Sequence, residues 1–184
     1  AKLDVTDVAF SGIGAALSVL TPEHKHNGVA LIDLGGGTTS YVAYCNSVFA
    51  ASGCIAVGGD HITNDVALAF TIPQARAEDV KRRYGSAVIA PDSGNKRVTL
   101  PADVGFEERS IGCKALQTVI NARMDEILRI LRSRLDDAGV LPHLGAGLIL
   151  IGGGAYLEGV TELAQHVFGM PCRIGVPTNV DGLD

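Results

Sequence analysis

The sequence predicts an α/β fold in which a core subdomain is interrupted by a smaller inserted α+β subdomain. Two observations support this fold class. Strand patterns joined by short turns occur early in the chain, and a strand, a glycine turn, a helix and a strand follow one another at its end. Between them lies a charged, largely helical stretch. We therefore assign residues 1–70 and 145–184 to the core and residues 71–144 to the insertion.

The N-terminal part is predicted to contain a helix, three strands and a second helix. Apolar residues at helical spacing indicate a helix over Ala9–Leu20, which the Thr21-Pro22 pair ends. Three strand patterns then follow, at Val29–Ile32, Ser40–Cys45 and Val48–Val57. Because short turns join them, they should form an antiparallel meander. Gly58 and Gly59 open the second helix, which has Asp60 as its N-cap and ends near Phe70.

The insertion is predicted to begin and end with helices. A charged helix over Pro73–Tyr84 is closed by Gly85, and the longest helix covers about Glu107–Ala138. Ile120, Met124, Ile127, Leu131 and Leu135 form an apolar stripe along that longest helix. Two short strands are expected between the helices, near Ala87–Ile89 and Lys96–Leu100.

The C-terminal part reads as strand, turn, helix and strand. A buried strand is predicted over Gly147–Ile151 and a helix over Leu157–Phe168. Gly152–Gly154, the second glycine turn, joins them. An edge strand over Pro171–Val176 completes the core, so this part supplies two of its strands.

The first glycine turn, Gly35–Gly37, carries the clearest chemical signal. It follows a buried strand that ends in Asp33, and Thr38 and Thr39 come directly after it. Glycines let successive backbone N–H groups converge on an anion, and threonine hydroxyls add donors. A carboxylate beside a phosphate would repel it unless a divalent cation lay between them, which predicts Asp33 as an outer ligand of Mg²⁺. The alternative is a hairpin turn with an Asp-capped corner.

The second glycine turn is ambiguous from spacing alone, because many strand-to-helix crossings use glycine. A dinucleotide-binding turn would require glycine at its sixth position, where this sequence has Leu157. A P-loop is excluded, since Gly-Lys-Ser and Gly-Lys-Thr do not occur in the chain.

Composition excludes several classes of protein. With 47% hydrophobic and 19% charged residues, the chain is neither disordered nor collagen-like. A formal charge of −5 provides no overall positive field to attract nucleic acid or anionic lipid, so we expect no nucleic-acid partner. No apolar run is long enough for a membrane span, and four widely spaced cysteines without a Cys-x-x-Cys pair predict reduced thiols in a cytoplasmic protein. Because the chain starts at Ala1 rather than Met, we expect a fragment.

Taken together, the motifs resemble the C-terminal half of actin-like ATPases, and most closely the FtsA family of bacterial cell-division proteins. The resemblance covers nearly the whole chain and rests on four stretches in order, Asp33–Thr39, Val57–Ala67, Ala77–Gly85 and Ile151–Ala155. It implies an actin-like, ribonuclease H-like core with ATP and Mg²⁺ as ligands. By the same resemblance Gly59, Glu78, Lys81 and Arg82 belong to the nucleotide site, with Glu78 and Lys81 at ribose and adenine, and Gly152, Gly153 and Gly154 form the adenosine motif.

The resemblance also implies partners. The family's role is an ATP-binding scaffold that self-associates, binds the C-terminal tail of FtsZ and anchors FtsZ at the cytoplasmic face of the inner membrane at the division site. Membrane contact would come only from a segment outside this chain. A tail with acidic residues needs a positive surface on the insertion. Arg109, Lys114 and Arg123 at the start of the longest helix are our candidates, because the sequence has no acidic residue from Ser110 to Met124.

Hydrolysis is expected to be weak or absent. Related ATPases carry Glu-Pro where this sequence has Ser11-Gly12, which removes a carboxylate that could orient water. We assign no catalytic residue. Two other functions on the same fold stay open at this stage, a small-molecule kinase and a pilus-assembly adaptor.

Overall fold

The computed structural model describes Asp4, residues 6–102 and residues 107–177. Its helices are α1 (Ser11–Val19), α2 (Pro22–Asn27), α3 (Gly59–Phe70), α4 (Gln74–Tyr84), α5 (Cys113–Asp137) and α6 (Val160–Phe168). Its strands are β1 (Val29–Leu34), β2 (Thr39–Cys45), β3 (Val48–Ile55), β4 (Arg97–Leu100), β5 (Arg109–Gly112), β6 (Leu148–Ile151) and β7 (Cys172–Ile174). Among the described residues no helix combines the length and the apolar character that crossing a bilayer requires.

A five-stranded sheet in the order β3-β2-β1-β6-β7 organises the core. β1, β2 and β3 form the predicted antiparallel meander, whereas β1, β6 and β7 run parallel to one another. Alternate residues of β1 enter separate apolar clusters, Val29 and Leu31 in one and Ala30 and Ile32 in the other. This arrangement places the carboxyl ends of β1 and β6 next to each other, so the glycine turn that follows each strand lies at the same edge of the sheet.

Helix α5 links the sheet to the inserted residues. Its predicted stripe of Ile120, Met124, Ile127, Leu131 and Leu135 is buried throughout. The helix packs against α3 and α6, and its N-terminal end contacts β5 of the two-stranded sheet that β4 and β5 form. The division into residues 1–70 with 145–184 and residues 71–144 stays a prediction, and residues 178–184 lie outside the described part.

Two predicted elements are wrong in the insertion. The longest helix begins at Cys113 rather than near Glu107, because residues 109–112 pair with β4 as a strand. No strand covers Ala87–Ile89. The backbone of Ala87 is held instead by single hydrogen bonds, since its N–H donates to the Glu158 carbonyl at 2.7 Å and its carbonyl accepts from Asn121 Nδ2 at 2.6 Å.

Two helix starts also differ from the prediction. Thr21-Pro22 starts helix α2 as well as ending the preceding segment, because proline fits the first helical position. Thr21 caps that helix, accepting from the His24 N–H at 3.2 Å. At the other end of the chain α6 starts only at Val160, after Gly159 adopts a left-handed conformation with φ of 72°. The stretch between Gly153 and Tyr156 is a 3₁₀ turn.

Candidate functional site

An open cleft of about 610 Å³ lies at the carboxyl edge of β1 and β6. It is bounded by the two glycine turns, the start of α3 and one face of α4. Of the residues predicted from the sequence, the cleft is lined by Gly35, Gly36, Gly59, Glu78, Lys81, Arg82, Gly153 and Gly154. The fold therefore brings together residues that are more than 100 positions apart in the sequence.

The first glycine turn is docked onto the start of α3. The carbonyls of Gly35 and Gly36 accept hydrogen bonds from the N–H groups of Gly59 and Asp60, both at 2.9 Å. A Cβ at Gly58 would lie only 2.4 Å from the Gly36 carbonyl oxygen, so only glycine permits this approach. The turn and the helix consequently form one rigid edge of the cleft.

Asp60 is not the N-cap of α3, as the sequence suggested. Gly58 holds that position, and its N–H donates to Nδ1 of His61 at 3.2 Å. The exposed carboxylate of Asp60 lines the cleft instead, with its oxygens 3.2 Å from where a Cβ on Gly36 would be. Sequence analysis missed this residue because an acidic residue at a helix start has the more common explanation of capping.

The second glycine turn packs over the end of β1. Gly152 has φ of 83°, and a Cβ there would lie 2.3 Å from Asp33 Oδ1. A Cβ at Gly154 would lie 2.8 Å from the Cβ of Leu34, whereas one at Gly153 would meet no atom within 4 Å. Two of these glycines are thus required by packing within the protein, and Gly153 alone presents open backbone to the cleft.

Five predicted residues do not line the cleft directly: Asp33, Gly37, Thr38, Thr39 and Gly152. Asp33 is half-buried beneath the second glycine turn, and Gly37 and Thr38 are exposed at the tip of the first. The hydroxyl of Thr39 is fully buried and donates to the Val57 carbonyl at 2.8 Å. The hydrogen of this hydroxyl is engaged within the sheet, so a role of Thr39 as a phosphate donor stays a prediction.

Helix α4 contributes a charged pair to the cleft. Lys81 Nζ lies 2.6 Å from Glu78 Oε2 and donates to the Gly59 carbonyl at 3.0 Å, which joins α4 to α3. Burial raises the pKa of Glu78, but hydrogen bonds from Lys81 and Thr63 and the charges of Lys81 and Arg82 outweigh it. The pKa of Glu78 consequently lies below its ordinary value, and this carboxyl is ionised at neutral pH.

Several cleft residues had no distinguishing signal in the sequence. Met124 belongs to the apolar stripe of α5 yet lines the cleft while only 2% exposed. Tyr156 is 79% exposed at the mouth, and Glu158 lies beside it. Among the described residues no three His, Cys, Asp or Glu side chains are grouped to hold a metal ion, so a cation here would need ligands from water or a bound anion.

The candidate basic residues of the insertion do not share a helix face. Arg109 lies on β5 and donates to the carbonyls of Phe70 and Thr71. Arg123 makes a bidentate contact with Asp65 of α3, at 2.6 and 3.1 Å, which raises the pKa of the guanidinium. The neutralising acid comes from a different element, which inspection of residues 110–124 alone could not reveal. Lys114 is exposed on α5.

Comparison with known proteins identifies relatives over almost the whole chain. Residues 30–184 match the family model described as cell division protein FtsA. The chain is 35% identical to FtsA of Pseudomonas aeruginosa over 181 residues, which is 98% of this chain and 43% of that protein. It is also 35% identical to FtsA of Escherichia coli K12, covering 98% of this chain and 45% of the relative. The chain thus spans less than half the length of these relatives.

Solved structures with the same fold are actin-like proteins. MreB 5 of Spiroplasma citri bound to AMPPNP superposes with a TM-score of 0.71 at 24% identity, over 89% of this chain and 52% of that one. The PilM–PilN type IV pilus biogenesis complex superposes with a TM-score of 0.58 at 20% identity, over 89% of this chain and 39% of that one. The fold is therefore the actin-like α/β fold, and by the family match and the identities above the chain belongs to the FtsA family of cell division proteins.

Proposed function

We propose that this chain forms one wall of an ATP site in a cell-division scaffold. The observation that carries the proposal is the cleft, which unites both glycine turns with Glu78, Lys81 and Arg82. Nucleotides in two similar structures support it, because MreB 5 of Spiroplasma citri was solved with AMPPNP and with ADP. Family membership favours this reading over a small-molecule kinase or a pilus adaptor.

The phosphates would lie at the first glycine turn, where Gly35, Gly36, Gly37 and Thr38 offer backbone and hydroxyl donors. The adenosine would lie against Gly153 of the second turn, with Glu78 and Lys81 at the ribose. Mg²⁺ commonly uses one or two carboxylates together with phosphate oxygens and water. Asp33 at the end of β1 fits that donor set, and Asp60 across the first turn supplies a further carboxylate. The cation would neutralise the phosphates.

Isothermal calorimetry tests the proposal. ATP is titrated with and without Mg²⁺ into this chain and into the longest natural chain that contains residues 1–184. We expect binding in both, weaker in this chain if a second lobe completes the cleft. Absence of binding in the longer chain would overturn the proposal. Phosphate release in the same samples should be slow or undetectable, because no residue of the cleft is assigned to activate water.

We also propose that the division role includes FtsZ as a partner, with its C-terminal tail docking on residues 71–144. Lys114 supports this best, because it is exposed, whereas Arg123 is held by Asp65 and Arg109 by backbone carbonyls. Self-association and membrane attachment would belong to the longer protein, the latter through a segment outside this chain.

Tail binding is tested with a synthetic FtsZ tail peptide and Lys114→Glu. Arg134→Glu makes the same charge change at the far end of α5 and is the matched control, since the two positions are about 30 Å apart along the helix. We expect a several-fold loss of affinity for Lys114→Glu only, decreasing as salt screens the interaction. If Lys114→Glu and Arg134→Glu bound the tail peptide with equal affinity, the peptide would not dock at Lys114.

A further inference from the structure

Thr63 lies on α3, and its side chain contacts both members of the Glu78–Lys81 pair on α4. It is only 6% exposed, and its hydroxyl oxygen is close to three polar groups. The distances are 2.5 Å to Glu78 Oε2, 2.8 Å to Lys81 Nζ and 3.1 Å to the Gly59 carbonyl oxygen. Neither the glycine motifs nor the charge pattern of the sequence singled out this residue.

The hydrogen bonds of this hydroxyl have a defined direction. An ammonium group can only donate, so Lys81 donates to Thr63 Oγ1. The single hydroxyl hydrogen then goes to the carboxylate of Glu78, because an ionised acceptor at 2.5 Å is stronger than a carbonyl at 3.1 Å. Lys81 also donates to Gly59, so the carbonyl of Gly59 retains a partner.

We propose that Thr63 is a positioning residue that presets Glu78 and Lys81 for ribose recognition; the inference rests on the proposed nucleotide site. Without the Thr63 hydroxyl, Glu78 and Lys81 would form only an i, i+3 ion pair on α4, in which the Glu78 side chain is 41% exposed. Pairs of that kind restrict side chains weakly, because water competes for both charges. A buried hydroxyl supplied by a second helix fixes the geometry of both groups.

The position of Thr63 also connects the two ends of the cleft. It lies one turn after Gly59, whose N–H donates to the Gly35 carbonyl of the first glycine turn at 2.9 Å. The carbonyl of the same residue accepts from Lys81 at 3.0 Å. The α3 turn that docks the phosphate-side loop therefore also holds the ribose-side pair.

A purely structural threonine would look different. On α5 the hydroxyl of Thr118 donates to the Lys114 carbonyl at 2.8 Å, the usual contact of a helical threonine with the carbonyl four residues earlier. Thr63 has that carbonyl in reach as well, but it is additionally in contact with both charged groups of α4. Thr118→Val is consequently the matched control for loss of a helical hydroxyl.

The test compares affinities for ATP and for 2′,3′-dideoxy-ATP in the longest natural chain that contains residues 1–184. If Glu78 and Lys81 hold the ribose hydroxyls, the unsubstituted protein prefers ATP by about tenfold. We expect Thr63→Val to bring this preference close to unity by weakening ATP alone. Thr63→Ser should restore it, and Thr118→Val should leave it unchanged.

Comparing two ligands on one protein separates recognition from folding, because a loss of folded protein weakens both equally. Equal losses for both nucleotides, or an unchanged preference in Thr63→Val, would overturn the role of Thr63 and leave the proposed nucleotide site intact. An unsubstituted protein that binds neither nucleotide would overturn the proposed function and this inference with it.

Discussion

The two glycine turns at the edge of the sheet differ in how they meet the rest of the protein. The first accepts hydrogen bonds from the N–H groups of Gly59 and Asp60, whereas the second lies so close to Asp33 and Leu34 that an added Cβ at Gly152 or Gly154 would overlap them. Each turn nevertheless contains one glycine, Gly37 or Gly153, whose added Cβ would meet no atom within 4 Å. A run of glycines therefore combines positions where the fold requires glycine with a position where a larger residue would fit.

Substitution of Gly152 should produce the largest effect, on folding. Alanine would have to adopt φ of 83° with its Cβ 2.3 Å from Asp33 Oδ1 and 2.7 Å from the Leu34 carbonyl. We expect Gly152→Ala to lower the free energy of unfolding by about 2–4 kcal/mol in urea denaturation. Gly169→Ala is the control, because Gly169 has φ of 71° but open space, so it reports the backbone strain alone. Equal losses in the two variants would disprove the steric contact.

Asp33→Asn should show whether Asp33 acts on the nucleotide through Mg²⁺, because it should weaken binding of Mg²⁺-ATP more than binding of metal-free ATP. The amide keeps the shape of the carboxylate beneath Gly152 but removes its charge. We expect affinity for Mg²⁺-ATP to fall about 10–100-fold, with a much smaller change for ATP in EDTA. Calorimetry under both conditions measures the ratio. If the same loss occurred with and without Mg²⁺, Asp33 would not act through the cation.

Gly153→Ala should weaken nucleotide binding by about tenfold without lowering stability. A methyl group there enters open space in the protein but occupies volume that an adenosine against the backbone would need. The loss should be the same with and without Mg²⁺, unlike that of Asp33→Asn. Gly94→Ala, which also meets no atom within 4 Å but lies outside the cleft, is the control. If Gly153→Ala left the affinity for ATP unchanged, the adenosine would not lie against the second glycine turn.

The core could be predicted from the sequence because its signals are local. Apolar runs and short turns indicated β1, β2 and β3, and helical spacing of apolar residues indicated the buried stripe of α5. The segment around Ala87 and strand β5 could not be predicted in the same way, whereas β4 was. Their backbone is held by contacts with distant partners, such as Glu158 and Asn121, and β5 forms only because β4 pairs with it.

The candidate site shows the same limit. Its glycines and the Glu78–Lys81 pair were recognisable as motifs, and the fold brings most of the glycines and the pair to one cleft. The partners of individual side chains were not. Arg123 is neutralised by Asp65 from another helix, and the Thr39 hydroxyl is engaged by Val57. The two members of each pair are far apart in the sequence, so the contact cannot be recognised before the fold is known. Judging by residue type alone therefore overestimates how many side chains are available to a ligand.

The pair on α4, which lies between the two turns, should give the smallest effect, seen in the pH dependence of stability. Hydrogen bonding and nearby positive charge lower the pKa of Glu78 in the folded protein despite burial, so the folded value is below the ordinary 4.5 of the unfolded chain. The resulting stabilisation is fully present above pH 4.5 and is lost as the pH falls through the folded value. Because the carboxylate is 41% exposed, we expect no more than about 1 kcal/mol.

Glu78→Gln tests this, because it removes the titrating group and keeps the side-chain length. Urea denaturation from pH 3 to pH 7 should show the two stability curves diverging as the pH rises to about 4.5 and keeping a constant difference above it, with a shallower acid limb for the variant. Glu23→Gln on α2 is the control, since Glu23 lies outside the cleft. Stability curves that stay parallel over the whole range from pH 3 to pH 7 would show that the α4 pair is as weak as an ordinary surface pair.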